Sequence, residues 1–286
     1  MASNHFTVNY IYREFHLTEQ DTQHAAPKKL PDKIFNIHNP DNVLGLILAL
    51  YVSFAISARK TAYMLREIFK INVSYQTVLN YAQAAAYYCH QVNLNSKGPV
   101  ETFSVGDETY ITIKGKNWYV FFFVSPENKA ISAYHLADNR GIIPAITAIK
   151  EAIRKAHPNQ EISIITDGNP SYVAATLYLN QNKLPKNKIN HVRVIGLKNL
   201  DLDSEQFRPF KQIIERFNRT YKYHVRPAAG FNSFNGAMAL TTLFVSHYNF
   251  LRPHSALKFN TPIKIPQLDP LHTIQAKWLQ LIKLAM

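Results

Sequence analysis

The segment from Phe103 to Leu136 constrains the fold more than any other part of the sequence. It contains three runs rich in β-branched and aromatic residues, 103–113, 118–124 and 130–136, separated only by short turns. Such runs predict three antiparallel strands in a meander. Asp107 lies inside the first run, where an acid is costly to bury unless it is paired or bound to a metal.

Two further acids lie in segments that could bring them to Asp107. Asp167 follows the strand-like run 162–166, and the carboxyl end of a strand is a usual place for a ligand-binding group in an α/β sheet. Glu215 lies in the segment 210–221, whose apolar residues recur at helical spacing. Two Asp and one Glu could hold two divalent ions, since Mg²⁺ prefers carboxylates together with water and phosphate oxygens. Two such ions can stabilise both the attacking and the leaving oxygen of phosphoryl transfer.

The charge of the chain points to an anionic partner. The 286 residues carry a formal net charge of +13, which makes nucleic acid the first candidate. The excess is greatest from residue 207 onward, where eleven Lys and Arg face two acids. Cys89 is the single cysteine and is expected to be a small buried residue. No apolar run is long enough for a transmembrane helix and no secretory signal is recognised, so we expect a cytoplasmic, nucleoid-associated protein without a membrane partner.

The region before the meander predicts three helices, at about 42–55, 58–69 and 75–90, the last two capped by Ser57 and Ser74. Two capped helices joined by a short turn are typical of a helix-turn-helix, although a plain helical hairpin packed on the core shows the same pattern. The second helix would read DNA through residues near its start. These candidate DNA contacts are Ser74, Tyr75, Gln76, Thr77 and Asn80.

The remaining segments give a domain order. Strands alternating with helices after the meander predict a mixed α/β sheet flanked by helices. We expect an N-terminal arm at 1–40, a helix-turn-helix domain at 41–92, a linker at 93–101, a catalytic domain at 102–265 and a C-terminal helix at 266–286. The polar segment 197–206 is predicted to be a loop, inside an insertion at 180–206.

Four stretches in order resemble the DDE-type transposases of insertion sequences, which have a retroviral-integrase-like catalytic core. They are GDETYITIKGKNWYVFFFV from Gly106, TDG from Thr166, IERFNRTYKYHVRPAAGF from Ile214 and YNFLRPHSAL from Tyr248. The resemblance implies a ribonuclease-H-like fold, a catalytic and metal-binding triad of Asp107, Asp167 and Glu215, and two Mg²⁺ or Mn²⁺ ions. It also implies phosphate contacts by Arg219 and Lys222, and a homo-oligomer on double-stranded DNA, both transposon ends and target.

Three functions remain open at this point. The first is a transposase that binds transposon ends, cleaves a strand and transfers it. The second is a domesticated or inactive relative that binds DNA without cutting, and the third is a ribonuclease-H-like nuclease acting on RNA-containing duplexes. An intact set of two Asp and one Glu favours the first over the second, and the DNA-reading helices favour it over the third.

Several residues keep a simpler interpretation beside the functional one. Glu108 should point to the sheet face opposite Asp107 and be a surface acid. Glu215 could pair with Arg219 one turn later on an exposed helix. Glu205 is a rival third acid, which we reject because its segment is expected to be a loop. Arg252 belongs to a segment that could be either a structural turn or a DNA contact.

Overall fold

The structure is a computed structural model that describes residues 41–96, 98, 100–157, 160–182, 188–194 and 202–286. The α-helices are α1 (Asp41–Leu48), α2 (Ala58–Glu67), α3 (Tyr75–Asn95), α4 (Ile142–Ile153), α5 (Pro170–Gln181), α6 (Leu202–Val225), α7 (Phe234–Ser246) and α8 (Ile274–Lys283). The strands are β1 (Phe103–Ile113), β2 (Lys116–Val124), β3 (Ile131–Ala137), β4 (Ile162–Thr166) and β5 (Ile189–Arg193). The predicted arm at 1–40 and part of the predicted insertion at 180–206 lie outside the described residues.

The five strands form one mixed sheet in the order β3-β2-β1-β4-β5. β1, β2 and β3 pair antiparallel, as the short turns predicted, and β1 has the predicted bounds. β4 and β5 run parallel to β1, which requires the crossover helices α4 and α5 between them. A three-stranded meander extended by two parallel strands is the ribonuclease-H-like arrangement, so the predicted fold class is confirmed.

Each face of the sheet is covered by its own layer of helices. Alternation along β2 sends Phe121 and Phe123 into a core formed with α4 and α5, and sends Phe122 to the other face. There the ring of Phe122 meets Phe217 and Tyr221 of α6 edge-on, with both centroid separations 4.8 Å. The sheet thereby fixes one face of α6, the helix that carries Glu215.

The N-terminal helices share their core with the helices that follow the sheet. Asn93 of α3 donates to the carbonyl oxygen of Thr242 and accepts a hydrogen bond of 2.9 Å from Ser246, both on α7. His90 of α3 lies 2.9 Å from the hydroxyl of Tyr134 on β3. Residues 41–92 therefore pack as one unit with the sheet and the helices that follow it. The predicted boundaries between domains stay a prediction. No helix in the described part of the chain could cross a membrane.

Two helices end in a π-helical turn that the sequence did not predict. α1 continues as a π-helix over Ala49–Ser53, and α7 continues as one over His247–Leu251. The two turns meet, because Nδ1 of His247 lies 3.2 Å from the hydroxyl of Ser53. Trp278 of α8 donates a 2.9 Å hydrogen bond to the same hydroxyl. π-Helical turns are rare and occur often at functional sites.

The strand that carries Asp107 also contains Gly106, a position where close packing leaves no room for a side chain. A Cβ at Gly106 would overlap the ring of Phe123 on the paired strand β2. Phe123 is fully buried and has no room to move aside. Glycine at 106 therefore lets β1 and β2 pair closely next to the acid.

Candidate active site

Strand pairing brings Asp107 and Asp167 together. Val105 of β1 pairs in register with Ile165 of β4. Asp107 comes two residues after Val105, and Asp167 comes two residues after Ile165. Because the two strands are parallel, both carboxylates emerge at the same edge of the sheet. Carboxylate oxygens of Asp107, Glu108 and Asp167 lie within 4.8 Å of one another.

The Asp107 carboxylate is held from both sides. One oxygen accepts a 2.9 Å hydrogen bond from the backbone N–H of Glu108, and the other accepts a 2.9 Å bond from the side-chain amide of Asn218 on α6. Burial, followed by the charges of Glu108 and Asp167, raises the pKa of Asp107 to about 7, while the backbone hydrogen bond from Glu108 and the charge of Lys211 act in the opposite direction. Asp107 therefore takes up its negative charge with difficulty unless a cation is close.

Asp167 begins the turn that leads from β4 into α5. Its carboxylate accepts a 3.0 Å hydrogen bond from the backbone N–H of Asn169, as an aspartate in a turn commonly does. Asn169 in turn caps α5, since its side-chain oxygen accepts from the N–H of Ser171 at 3.0 Å. Pro170 occupies the first helical position, which suits its fixed φ and missing N–H.

The expectation that Glu108 is a surface acid is wrong. It does lie on the face opposite Asp107, but only 2% of its side chain is exposed. The guanidinium of Arg140 donates to Oε1 from Nε at 2.7 Å and also from Nη2, and the amide of Asn169 donates to the same oxygen at 3.0 Å. The hydroxyl of Tyr172 donates to Oε2 at 2.7 Å.

Glu108 accepts four hydrogen bonds, two of them from the Arg140 guanidinium, whereas Asp107 accepts one on each oxygen and neither comes from a cation. Burial, followed by the charge of Glu108, raises the pKa of Tyr172 well above its usual value, so the phenol stays protonated and keeps donating. Through Asn169, Glu108 is tied to the turn that carries Asp167. We infer that Glu108 positions the site, while the carboxylates of Asp107 and Asp167 keep lone pairs available for a ligand.

Glu215 is placed next to this cluster but does not join it. It is exposed on α6, and the group of three adjoining carboxylates among the described residues leaves it out. Asn218, which contacts Asp107, follows three residues later and therefore lies on the same side of the helix. Glu215 thus lies within one helical turn of Asn218, the residue of α6 that contacts Asp107. The alternative ion pair with Arg219 is not formed, since the ion pairs found in the described ranges involve neither residue.

Glu205 was rejected as the third acid because its segment was predicted to be a loop, and that reason is wrong. Residues 202–206 are the start of α6, and the predicted loop is wrong there; residues 195–201 lie outside the described part. Glu205 shares the helix with Glu215 but precedes it by ten residues, about 15 Å along the axis. It is exposed and too far along α6 to join Asp107.

The basic residues predicted on α6 follow Glu215 along the same helix. The Nζ of Lys222 is 4.4 Å from the ring centroid of Tyr110, three residues beyond Asp107 on β1. Arg219 is exposed. Lys211 and Asn218 were missed by the sequence analysis, although their spacing offered a signal. They stand four residues before and three after Glu215, which places all three along one side of the helix.

The predicted DNA-reading residues lie at the exposed start of α3. The hydroxyl of Ser74 caps the helix by accepting from the N–H of Thr77 at 3.0 Å, and Ser57 caps α2 in the same way, as predicted. Gln76 donates a 2.9 Å hydrogen bond to Asn80 one turn later. The guanidinium of Arg59 lies 5.1 Å from the ring centroid of Tyr75. The connection between α2 and α3 spans residues 68–74, which is longer than the usual three or four residues.

The acid cluster suits a hard divalent cation. Glu108 forms an ion pair with Arg140, whereas the ion pairs among the described residues leave Asp107 and Asp167 without a cationic partner. Partly buried carboxylates that lack an ion-pair partner and offer several oxygens match the ligand preference of Mg²⁺. When bound, such an ion would supply the missing positive charge.

One family model matches the part of the chain that carries these acids. Residues 103–242 match a family model described as a DDE domain. No curated protein matches the sequence. The magnesium-bound integrase catalytic core of HTLV-2, in its trimeric form, shares 16% identity and covers 57% of this chain and 94% of its own, with a TM-score of 0.35.

A second solved structure is the simian T-cell lymphotropic virus intasome in complex with a PP2A regulatory subunit, with 17% identity and a TM-score of 0.35. It covers 64% of this chain and 63% of its own. The family assignment rests on the matched domain, on the sheet order and on the acids at the edge of β1 and β4. Residues 103–242 of this chain are therefore the DDE domain of a transposase, an enzyme of metal-dependent phosphoryl transfer on DNA.

Proposed function

We propose that the protein binds the ends of a transposable element and catalyses both strand cleavage and strand transfer through Asp107, Asp167 and Glu215. The observation that carries the proposal is the pair of aspartates without a counter-charge, faced by the helix that carries Glu215. Two Mg²⁺ or Mn²⁺ ions held by these acids would activate the attacking oxygen and stabilise the leaving one.

The chain's own residues supply position and binding in this scheme. Asn218 and the backbone N–H of Glu108 each hold one oxygen of Asp107 at 2.9 Å and so fix the plane of the carboxylate. Glu108 and Asn169 hold the turn that carries Asp167. Arg219 and Lys222 face solvent next to Glu215, where they would hold the phosphates on either side of the scissile bond.

Sequence-specific binding is assigned to the start of α3. The exposed side chains of Ser74, Tyr75, Gln76 and Asn80, with the partly exposed Thr77, surround a capped helix N-terminus, where DNA-reading helices make their contacts. We expect a homo-oligomer to assemble on the element ends and to work on nucleoid DNA. Gln76→Ala should lower affinity for the ends more than for unrelated duplex, as measured by competition binding.

The test is Mg²⁺-dependent nicking and strand joining on duplexes that carry the element's own ends. Wild-type protein should nick and join, and Asp107→Asn should do neither while binding the ends as well as wild type. Asp138→Asn is the matched control, because it removes an exposed aspartate that lies outside the acid cluster. End binding without cleavage by the wild type would instead support the inactive DNA-binding relative. Cleavage by Asp107→Asn at the wild-type rate would show that the assigned site is wrong.

A further inference from the structure

A groove of about 560 Å³ opens beside the C-terminal part of α6. Its lining comes from α6, from both π-helical turns and from the residues that follow them. The lining residues are Ser53, Phe54, Arg219, Thr220, Tyr223, His224, His247 and Arg252. The volume falls within the range of small-molecule binding sites.

Both π-helical turns contribute residues to the lining of the groove. Ser53 ends the first π-helical turn and His247 begins the second. The two are joined side chain to side chain at 3.2 Å, and the ring of Trp278 stacks on His247 with an interplanar angle of 20°. Both π-helical turns found among the described residues thus line the same groove. Such turns are retained where the local backbone serves a site.

The charge of the groove is positive and comes from arginine. Its lining contains two arginines and no carboxylate. Burial and the charge of Arg252 lower the pKa of His224, and burial together with His224 and Arg252 lowers that of His247 to about 3. Both imidazoles are therefore neutral at physiological pH, and Arg219 and Arg252 carry the charge. Arg252 is steadied over the ring of Tyr248, 5.4 Å from its centroid.

The rim of the groove offers two aromatic rings to solvent. Phe54 is 58% exposed and Tyr223 is 66% exposed, so the rings of both are accessible to a ligand. Between them, His224 uses Nδ1–H to donate to the carbonyl oxygen of Thr220 at 3.0 Å. Its Nε2 is then an acceptor in the neutral ring. The groove combines ring faces, guanidinium groups and one ring acceptor.

Rings for bases and arginines for phosphates are the pattern of single-strand binding. A base inside a duplex is stacked and paired, so it cannot enter a concave groove, whereas an unpaired base can. An acidic peptide would use the arginines but leave the exposed rings without a matching partner. The chemistry of the lining therefore favours one nucleotide of an unpaired DNA strand.

The groove begins next to the proposed catalytic helix face. Arg219 follows Glu215 by one turn, about 6 Å along α6, and Tyr223 follows Arg219 by another. A strand leaving the acid site would cross α6 at Arg219 and reach the groove. We propose that this groove binds an unpaired nucleotide of the DNA strand, with its base on Tyr223 or Phe54 and its phosphate on Arg219 and Arg252. This inference rests on the proposed function, since it takes DNA as the substrate.

The test measures binding without catalysis. A labelled oligodeoxynucleotide of about ten bases and the duplex of the same sequence are titrated with protein in EDTA, and anisotropy gives both affinities. Tyr223→Ala should weaken single-strand binding about ten-fold, the effect of losing one stacked base, and change duplex binding less than two-fold. Tyr223→Phe should restore single-strand binding, because the ring is kept. A 2-aminopurine in the strand should lose fluorescence on binding wild type and not on binding Tyr223→Ala.

Two controls match the variants in exposure and charge. Tyr178→Ala removes a tyrosine that is 48% exposed on α5 outside the groove, and Arg226→Ala removes an exposed arginine just beyond α6. Neither should lower the preference for single strand. Equal losses on both DNAs with Tyr223→Ala would mean a simple backbone contact and would overturn the proposal, as would no loss on either.

The result is separable from the proposed function. If cleavage requires Asp107 but Tyr223→Ala binds single strand as well as wild type, the proposed nucleotide-binding groove is wrong and the proposed catalytic function stands. Selective loss of single-strand binding in a protein that never cleaves would support the groove and sink the catalytic proposal.

Discussion

Replacing Asp107 by asparagine should stabilise the metal-free protein, and should do so only at higher pH. Folding moves the carboxyl into a partly buried position beside Glu108 and Asp167, and its pKa rises from 3.8 to about 7. Between these values the folded state holds a proton that the unfolded chain releases. Stability contributed by the neutral acid is therefore complete at low pH and is lost as pH rises toward 7. Asparagine has no such charge to bury.

The expected size follows from the same pKa. Each pKa unit is worth about 1.4 kcal/mol, so the ionised carboxyl costs the wild type about 2.7 kcal/mol more at pH 8 than at pH 5. Hydrogen bonds that asparagine loses or keeps affect both pH values alike and cancel from the difference. The gap in unfolding free energy between Asp107→Asn and wild type should therefore widen by about 2 to 3 kcal/mol from pH 5 to pH 8.

The assay is urea unfolding of wild type and Asp107→Asn in EDTA at each pH. The dependence of the unfolding free energy on urea concentration is fitted with one slope for the two proteins. Asp138→Asn is the control, since its carboxylate is exposed and its gap should stay constant. Adding Mg²⁺ at pH 8 should then narrow the gap, because the ion stabilises only the protein with an intact site. A gap of equal size at both pH values, or equal stabilisation of both proteins by Mg²⁺, would refute the account of Asp107 as a buried ligand without counter-charge.

Three further variants separate catalysis, positioning and packing. Glu108→Gln should lower the free energy of unfolding by about 1 to 3 kcal/mol, opposite to Asp107→Asn, because it breaks a buried charged network. It should also weaken Mn²⁺ binding roughly 10- to 100-fold, as do other changes to groups that orient metal ligands. Glu215→Gln should abolish cleavage yet leave urea stability within about 0.5 kcal/mol, because the side chain is exposed. Gly106→Ala should destabilise by about 1 to 3 kcal/mol, because its methyl group would overlap Phe123, and unchanged unfolding would contradict that packing.

The parts of the fold that follow from local pattern were predictable. β1 and β4 were found with their observed bounds because their apolar and β-branched residues are continuous. Adjacent parallel strands ending in acids then place Asp107 beside Asp167. By contrast, α6 begins in a polar, acid-containing stretch without apolar periodicity, and Pro209 lies inside it. Sequence rules read such a stretch as a loop, whereas packing of the rest of the helix on the sheet extends it.

The role of Glu108 could not be read from its neighbours in sequence. Alternation along a strand gives the face on which a side chain lies, and that expectation was right. Its partners, Arg140 and Tyr172, come from 32 and 64 residues away, and only the closed fold brings them to it. The π-helical turns were missed for a related reason, since a backbone bond from Arg252 to the carbonyl of His247 leaves no periodic signature.

The exposure of Glu215 follows from the division of the site between two kinds of element. β1 and β4 bring Asp107 and Asp167 together by backbone pairing, so the sheet fixes the distance between the two carboxylates. The repulsion between the carboxylates is offset by the free energy of folding. α6 is held to the sheet by side chains such as Phe217 on Phe122. Packed helices can shift by about 1 to 2 Å, whereas strand register changes only in whole residues. With Glu215 as the proposed third ligand, α6 would close on the site once a cation has removed the repulsion, and final assembly of the site would follow metal binding rather than folding.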